Sequence, residues 1–215
     1  MIKAVSRLTR SCLIVSVIFF AGCTPKAPTY TIDNSISRTI DSIFQANTLF
    51  HSALKPEFAF HTIKTFDYDK FEGDEMDLAY LLRTDSVFEN EYVNSSAECY
   101  LDKDSIIVVG VLAYGSGIGF KIKIFGNSYT CETSLLSEEK VYVKNTGSLL
   151  DKEIMLKAEE SSMTLSANPK FTIGSAIKGR LALQTEPFFQ VGKDQKPFKI
   201  FGKFDIIFDT EIKER

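Results

Sequence analysis

Cysteines, histidines and clustered carboxylates are the side chains of this sequence that could do chemistry, and their spacing limits what chemistry that is. The two histidines, His51 and His61, stand ten residues apart with no His or Cys partner at zinc-ligand spacing, so each reads as an isolated side chain. From Asp67 to Asp77 the chain is strongly acidic. Counted from Asp67, however, Phe71 and Glu72 occupy the positions where a calcium loop needs an oxygen ligand and a glycine, so the stretch reads as a solvated acidic loop. The glycines Gly115, Gly117 and Gly119 could cradle a phosphate only if a helix followed them. Phe120, Ile122 and Ile124 instead alternate with Lys121 and Lys123, which makes the glycines a hairpin turn or bulge. Neither Gly-x-Ser-x-Gly nor His-Glu-x-x-His occurs. Asp and Glu are abundant, and a glycan hydrolase needs only two of them across a cleft at roughly 5 to 10 Å, an arrangement spacing alone does not locate. No metal ligand set, cofactor site or catalytic constellation is expected.

The cysteines point elsewhere. Lys3, Arg7 and Arg10 give a positive start, no acidic residue precedes Asp33, and an apolar run from Cys12 to Ala21 follows. That run is far short of the ~20 residues a membrane-crossing helix requires, so it is a secretory targeting segment. It ends in Phe20, Ala21, Gly22 and Cys23. This ending resembles the bacterial lipoproteins, in which small residues occupy the two positions before an obligatory cysteine and a dedicated signal peptidase cuts ahead of it. Ala21, Gly22 and Cys23 match that pattern, and Phe20 stands where the family usually carries an aliphatic residue. The resemblance implies a diacylglyceryl thioether at Cys23, removal of residues 1–22 and acylation of the new amino group, palmitate being a typical chain. Several acyl chains on one residue anchor a protein that does not itself span the bilayer. Thr24 is not the aspartate that retains enterobacterial lipoproteins in the inner membrane, so the expected place is the outer membrane, in either leaflet.

Residues 23–32, with Pro25 and Pro28, read as a tether. The remaining 33–215 are sized for one globular domain. Without the leader, 22 Lys and Arg face 28 Asp and Glu, a net charge near −6, which argues against nucleic acid as a partner. Cys99 and Cys131 remain. In an oxidising compartment such a pair closes a disulfide or persists as two buried thiols. In a hairpin turning at Gly115, opposed residues share a constant index sum that Cys99 and Cys131 also satisfy. They face each other if the polar stretches 102–104 and 126–128 do not end the ladder.

The elements that would position these groups are mostly strands. Asp33 or Ser35 can cap an amphipathic helix with Ile36, Ile40, Ile43 and Phe44 on one face, reading to about Leu54 before Pro56. Leu78, Leu81 and Leu82 suggest a second, short helix. Period-two patterning marks strands at 57–66, 106–114, 118–125, 129–135, 141–143, 154–158, 163–165, 177–184 and 198–209. The run at 106–114 is nearly continuous, as for a strand covered on both faces. Short strands without intervening helices predict a mainly β fold, an antiparallel sandwich or barrel with an N-terminal amphipathic helix. The function expected is non-enzymatic: a lipid-anchored envelope protein that binds an envelope protein partner. The alternatives are a carrier of a lipid or other apolar ligand, or a carboxylate-dependent hydrolase of envelope polymers.

Overall fold

The alternating segments become strands that pair in the order in which they occur. The computed structural model describes residues 27–46, 57–67, 93–114, 116–143, 150–191 and 197–215. Its strands are β1 (Thr31–Ile32), β2 (Phe58–Asp67), β3 (Val93–Asp102), β4 (Ser105–Tyr114), β5 (Ser116–Phe125), β6 (Ser128–Leu136), β7 (Tyr142–Val143), β8 (Leu150–Asp151), β9 (Glu153–Leu165), β10 (Ala176–Thr185), β11 (Phe188–Val191) and β12 (Pro197–Glu211), and its helix is α1 (Ile36–Ala46). Strands β2, β3, β4, β5, β6, β9, β10 and β12 each pair antiparallel with the next, and β12 returns to β2 from Ile200↔Asp67 to Phe208↔Phe58. The fold is therefore a closed eight-stranded antiparallel barrel rather than a sandwich. Closure is what removes the two exposed edges an open sheet would keep.

Every second side chain fills the interior. Phe58, Ile106, Val108, Phe120, Ile122, Ile124, Leu181, Phe204, Ile206 and Phe208 are buried in one continuous core. Eight strands enclose a space just wide enough for side chains or one small ligand, and here the phenylalanines occupy it. The Phe120 ring lies 5.0 Å from that of Phe60 and 5.1 Å from that of Phe204, centroid to centroid. Where two strands come closest, glycine is required. A Cβ on Gly179 would stand 2.6 Å from Phe208 Cζ, 2.7 Å from Leu165 Cδ2 and 2.9 Å from the backbone oxygen of Thr164. The backbone oxygen cannot rotate away. Gly179→Ala is thus expected to cost about 1–3 kcal/mol, read as a lower urea midpoint with an unchanged slope.

Irregularities account for what the sequence pattern obscured. The segments 154–158 and 163–165 are one strand, β9, interrupted by a bulge: Thr185 pairs with Ala158 and Gln184 with Glu160, which leaves Glu159 as the extra residue. Inward positions are even before the bulge (Ile154, Leu156) and odd after it (Met163, Leu165). The apolar run of β4 is a barrel wall and not a doubly covered strand. Ile107 is buried on its outer side, but Val111 is 49% exposed.

The polar stretches at 102–104 and 126–128 do end the ladder. Each is a tight turn entered through a left-handed residue, Lys103 at φ 57° and Gly126 at φ 52°. Cys99 therefore lies on β3 and Cys131 on β6, joined by the rung Cys99↔Val108↔Ile122↔Cys131. Three strand spacings amount to about 14 Å around the sheet, whereas a disulfide needs Cα atoms within about 7 Å. The possible disulfide is corrected to two free, buried thiols.

Helix α1 forms from Ile36 to Ala46 on the outside of the barrel, and its expected continuation to Leu54 lies outside the described residues. Asp33 Oδ1 accepts the Ser35 N–H at 2.8 Å just before the helix starts, and the Ser35 side chain together with this N–H holds the Asp33 carboxyl below its ordinary pKa. Ile40 is buried against Ala59 of β2 and Ile207 of β12, with Ile36, Ile43 and Phe44 around it. Lys178 of β10 ties the helix down, its Nζ 2.6 Å from Asp41 and 3.1 Å from Asp209. Burial pulls that ammonium's pKa down, but the two carboxylates outweigh it and hold it above its ordinary value. Beside this, Asp205 is buried on the outer face under Arg180, whose Nε donates to it at 2.8 Å.

The expected tether is partly docked. The Tyr129 N–H donates to the Pro28 carbonyl at 3.0 Å, Thr29 bridges to Ser128, and β1 runs parallel to the end of β9 at Thr164 and Leu165. Cys23 with Phe20, Ala21 and Gly22, the histidine His51, the acidic stretch beyond Asp67 and the second helix lie outside the described residues.

Candidate functional site

One break in the barrel wall carries the most distinctive geometry of the molecule. Thr185 is the last β10 residue to pair with β9. Glu186 still donates its N–H to the Lys157 carbonyl at 2.8 Å, and its Oε1 accepts the Lys157 N–H at 2.9 Å. Next comes Pro187, which has no N–H and cannot extend a ladder. Phe188 then starts β11, which pairs with β12 and β7 instead of β9. From Leu156 back to Glu153, β9 keeps β6 on one side, and on the other the wall is split.

A recess of about 360 Å³ occupies the split, lined by Val143, Asp151, Glu153, Ile154, Met155, Leu156, Glu186, Pro187 and Phe188. Buried Leu156 and Phe188 form its depth, while Glu153 and Met155 are exposed at its mouth, Met155 to 55%. The far wall is held by packing: the buried Tyr142 ring of β7 meets the Phe188 ring edge-on at 6.1 Å. Burial pushes the Tyr142 hydroxyl pKa well up, so the ring stays a neutral phenol.

Backbone direction matters here. Lys157 turns its N–H and C=O toward Glu186, and along an antiparallel strand these groups alternate between the two sides. The N–H and C=O of Met155 therefore face the recess, and those of Ile154 and Leu156 face β6. Of the three carboxylates, two are occupied in shaping the site. Asp151 Oδ1 accepts the Lys152 N–H at 2.7 Å and the Glu153 N–H at 3.4 Å, and Glu186 caps Lys157. A carboxylate committed to backbone donors is a fixed acceptor, not a group poised to pass a proton to a substrate.

The structure brings few of the sequence-derived candidates together. Neither Cys99 nor Cys131 lines the recess, and burial pushes their thiols up to about 12 and about 11, in the latter case against an opposing hydrogen bond from Ser161. Such thiols are inert as nucleophiles. His61 lies on β2, in register with Asp205. Gly117 and Gly119 lie within β5, one arm of the β4–β5 hairpin, and not in a phosphate loop before a helix, while Gly115 lies outside the described residues. Among the described residues, no cluster of three or more His, Cys, Asp and Glu could hold a metal ion. Sequence reading missed the recess, whose one local signal is Pro187 directly after a clean strand alternation. No protein-family model, curated protein or solved structure matches this chain.

Proposed function

We propose that this chain is a lipoprotein of the bacterial outer membrane, anchored through an acylated Cys23, whose barrel is a non-enzymatic module for binding an envelope protein partner. The leader supports the anchor: basic residues, a short apolar run, then Ala21, Gly22 and Cys23. The observation that carries the reading further is the docking of Pro28 to Ile32 at one end of the barrel. That end bears the β3–β4, β5–β6 and β9–β10 connections. From Cys23 to Ala27 the chain reaches at most about 14 Å. An acylated Cys23 would hold that end close to the bilayer and leave the opposite end, with the recess, directed away from it.

Two rivals fit less well. A carrier of apolar ligands would use the barrel interior, which phenylalanines fill, and the recess beside β9 is rimmed by three carboxylates. A hydrolase would need two working carboxyl groups, and with Asp151 and Glu186 engaged by backbone N–H groups Glu153 is left as one. The test is growth of cells with labelled palmitate. The wild-type chain is expected to take up label and sediment with membranes, and Cys23→Ser to do neither. Equal labelling of the two would remove the anchor from the account.

A further inference from the structure

We infer that the split beside β9 is a strand-addition site, taking an extended, basic segment of a partner protein that pairs its backbone with Met155. The inference deepens the interaction-module reading and rests on it. Among the described residues, β9 from Glu153 to Leu156 pairs with β6 alone. The Met155 N–H and C=O face the recess together, as one residue of a ladder presents both groups to the next strand. Pro187 opposite cannot supply the missing donor. A peptide strand laid there would sit about 4.8 Å from β9, and the four residues from Glu153 to Leu156 match about three or four residues of extended chain.

The lining specifies what the segment carries. Successive side chains of a strand point to opposite faces, and the recess offers two different ones. Leu156, Phe188 and Val143 give an apolar depth, while Asp151, Glu153 and Glu186 put three carboxylates at the rim. Lysine or arginine alternating with valine-like residues complements both faces, with main-chain bonds supplying affinity and the two linings specificity. A second copy of the chain is a poor occupant, because its own net charge is near −6 once the leader is removed.

The test uses the detergent-solubilised full chain and a fluorescent, terminally capped hexapeptide of alternating lysine and valine, read by anisotropy. Saturable binding is expected, weakened at least about tenfold by Glu153→Lys and by Met155→Pro, the latter removing a recess-facing N–H without breaking the β6 ladder. N-methylation of alternate peptide amides is expected to weaken binding as much. This arm leaves the protein untouched and stands even where Met155→Pro fails to fold. No saturable binding up to about 1 mM, or equal binding of the methylated peptide, overturns the inference. Palmitate uptake without peptide binding sinks the strand-addition site alone. Peptide binding without palmitate uptake sinks the anchor alone.

Discussion

Phe120→Ala is expected to lower the unfolding free energy by about 3–5 kcal/mol, among the largest losses a single truncation in this barrel can cause. The Phe120 side chain is 2% exposed, and its ring lies within 6.0 Å of Phe58, 5.0 Å of Phe60 and 5.1 Å of Phe204, centroid to centroid. These partners come from β2 and β12, the two strands whose pairing closes the barrel. The void cannot be refilled from the neighbouring strand. Its register partner is Gly110, where even a Cβ would fall 2.3 Å from Phe58 Cδ1. Urea unfolding should show a reduced midpoint with an unchanged slope, and a melting temperature lower by roughly 10 °C. A loss under about 1 kcal/mol would mean that the surrounding rings collapse into the gap, and the jigsaw account of this core would be wrong.

A second large effect is expected in alkali. Burial pushes Cys99 and Cys131 from an ordinary 9.0 up to about 12 and about 11, and a neighbouring Lys213 only partly offsets this at Cys99. Below pH 9 both the folded and the unfolded chain keep these protons, and the full stabilisation is present. Above it the unfolded chain releases them first, so it binds fewer protons than the folded one and stability falls as pH rises toward 11 or 12. The slope approaches about 1.4 kcal/mol per pH unit for each thiol, on the order of 4 kcal/mol for the pair between pH 9 and 11. The buried phenols Tyr129 and Tyr142, also raised by burial, add to the loss at the upper end. Urea midpoints at pH 8 and 10.5 measure the loss, to which the phenols, with an ordinary value of 10.0, already contribute. A Cys99→Ala, Cys131→Ala variant is less stable at both pH values because it leaves cavities, but it should lose markedly less between them. Parallel losses in variant and wild type would show that the thiols ionise in the folded chain as they do in water.

Much of this architecture is legible in the residues, and the gaps have physical causes. The β4–β5 register follows the constant index sum read from the alternation about Gly115, from Ser105↔Phe125 to Tyr114↔Ser116. Ile36, Ile40, Ile43 and Phe44 mark the buried face of α1 because a helix brings every third or fourth residue to one side. Strand β3 was hard to see because its inward residues are small, Ala97 and Cys99, and its outward ones polar. The cysteine pairing failed because the index sum of one hairpin was carried through turns that start new strands. Sandwich and barrel could not be told apart, since the closing pairs between β2 and β12 join residues more than 130 positions apart. The recess drew its lining from β7, β8, β9 and the β10–β11 junction, and no local pattern reports a site assembled that way.

Because β12 seals against β2, the sheet has nothing to shut on until the last fifteen residues of the barrel have been synthesised. Up to that moment β2 and β10 each present an unsatisfied margin able to pair with a neighbouring chain. A nascent molecule of this kind depends on being kept apart from its siblings until β12 has emerged, and a premature stop codon just ahead of residue 197 would yield a sticky open sheet instead of a closed barrel.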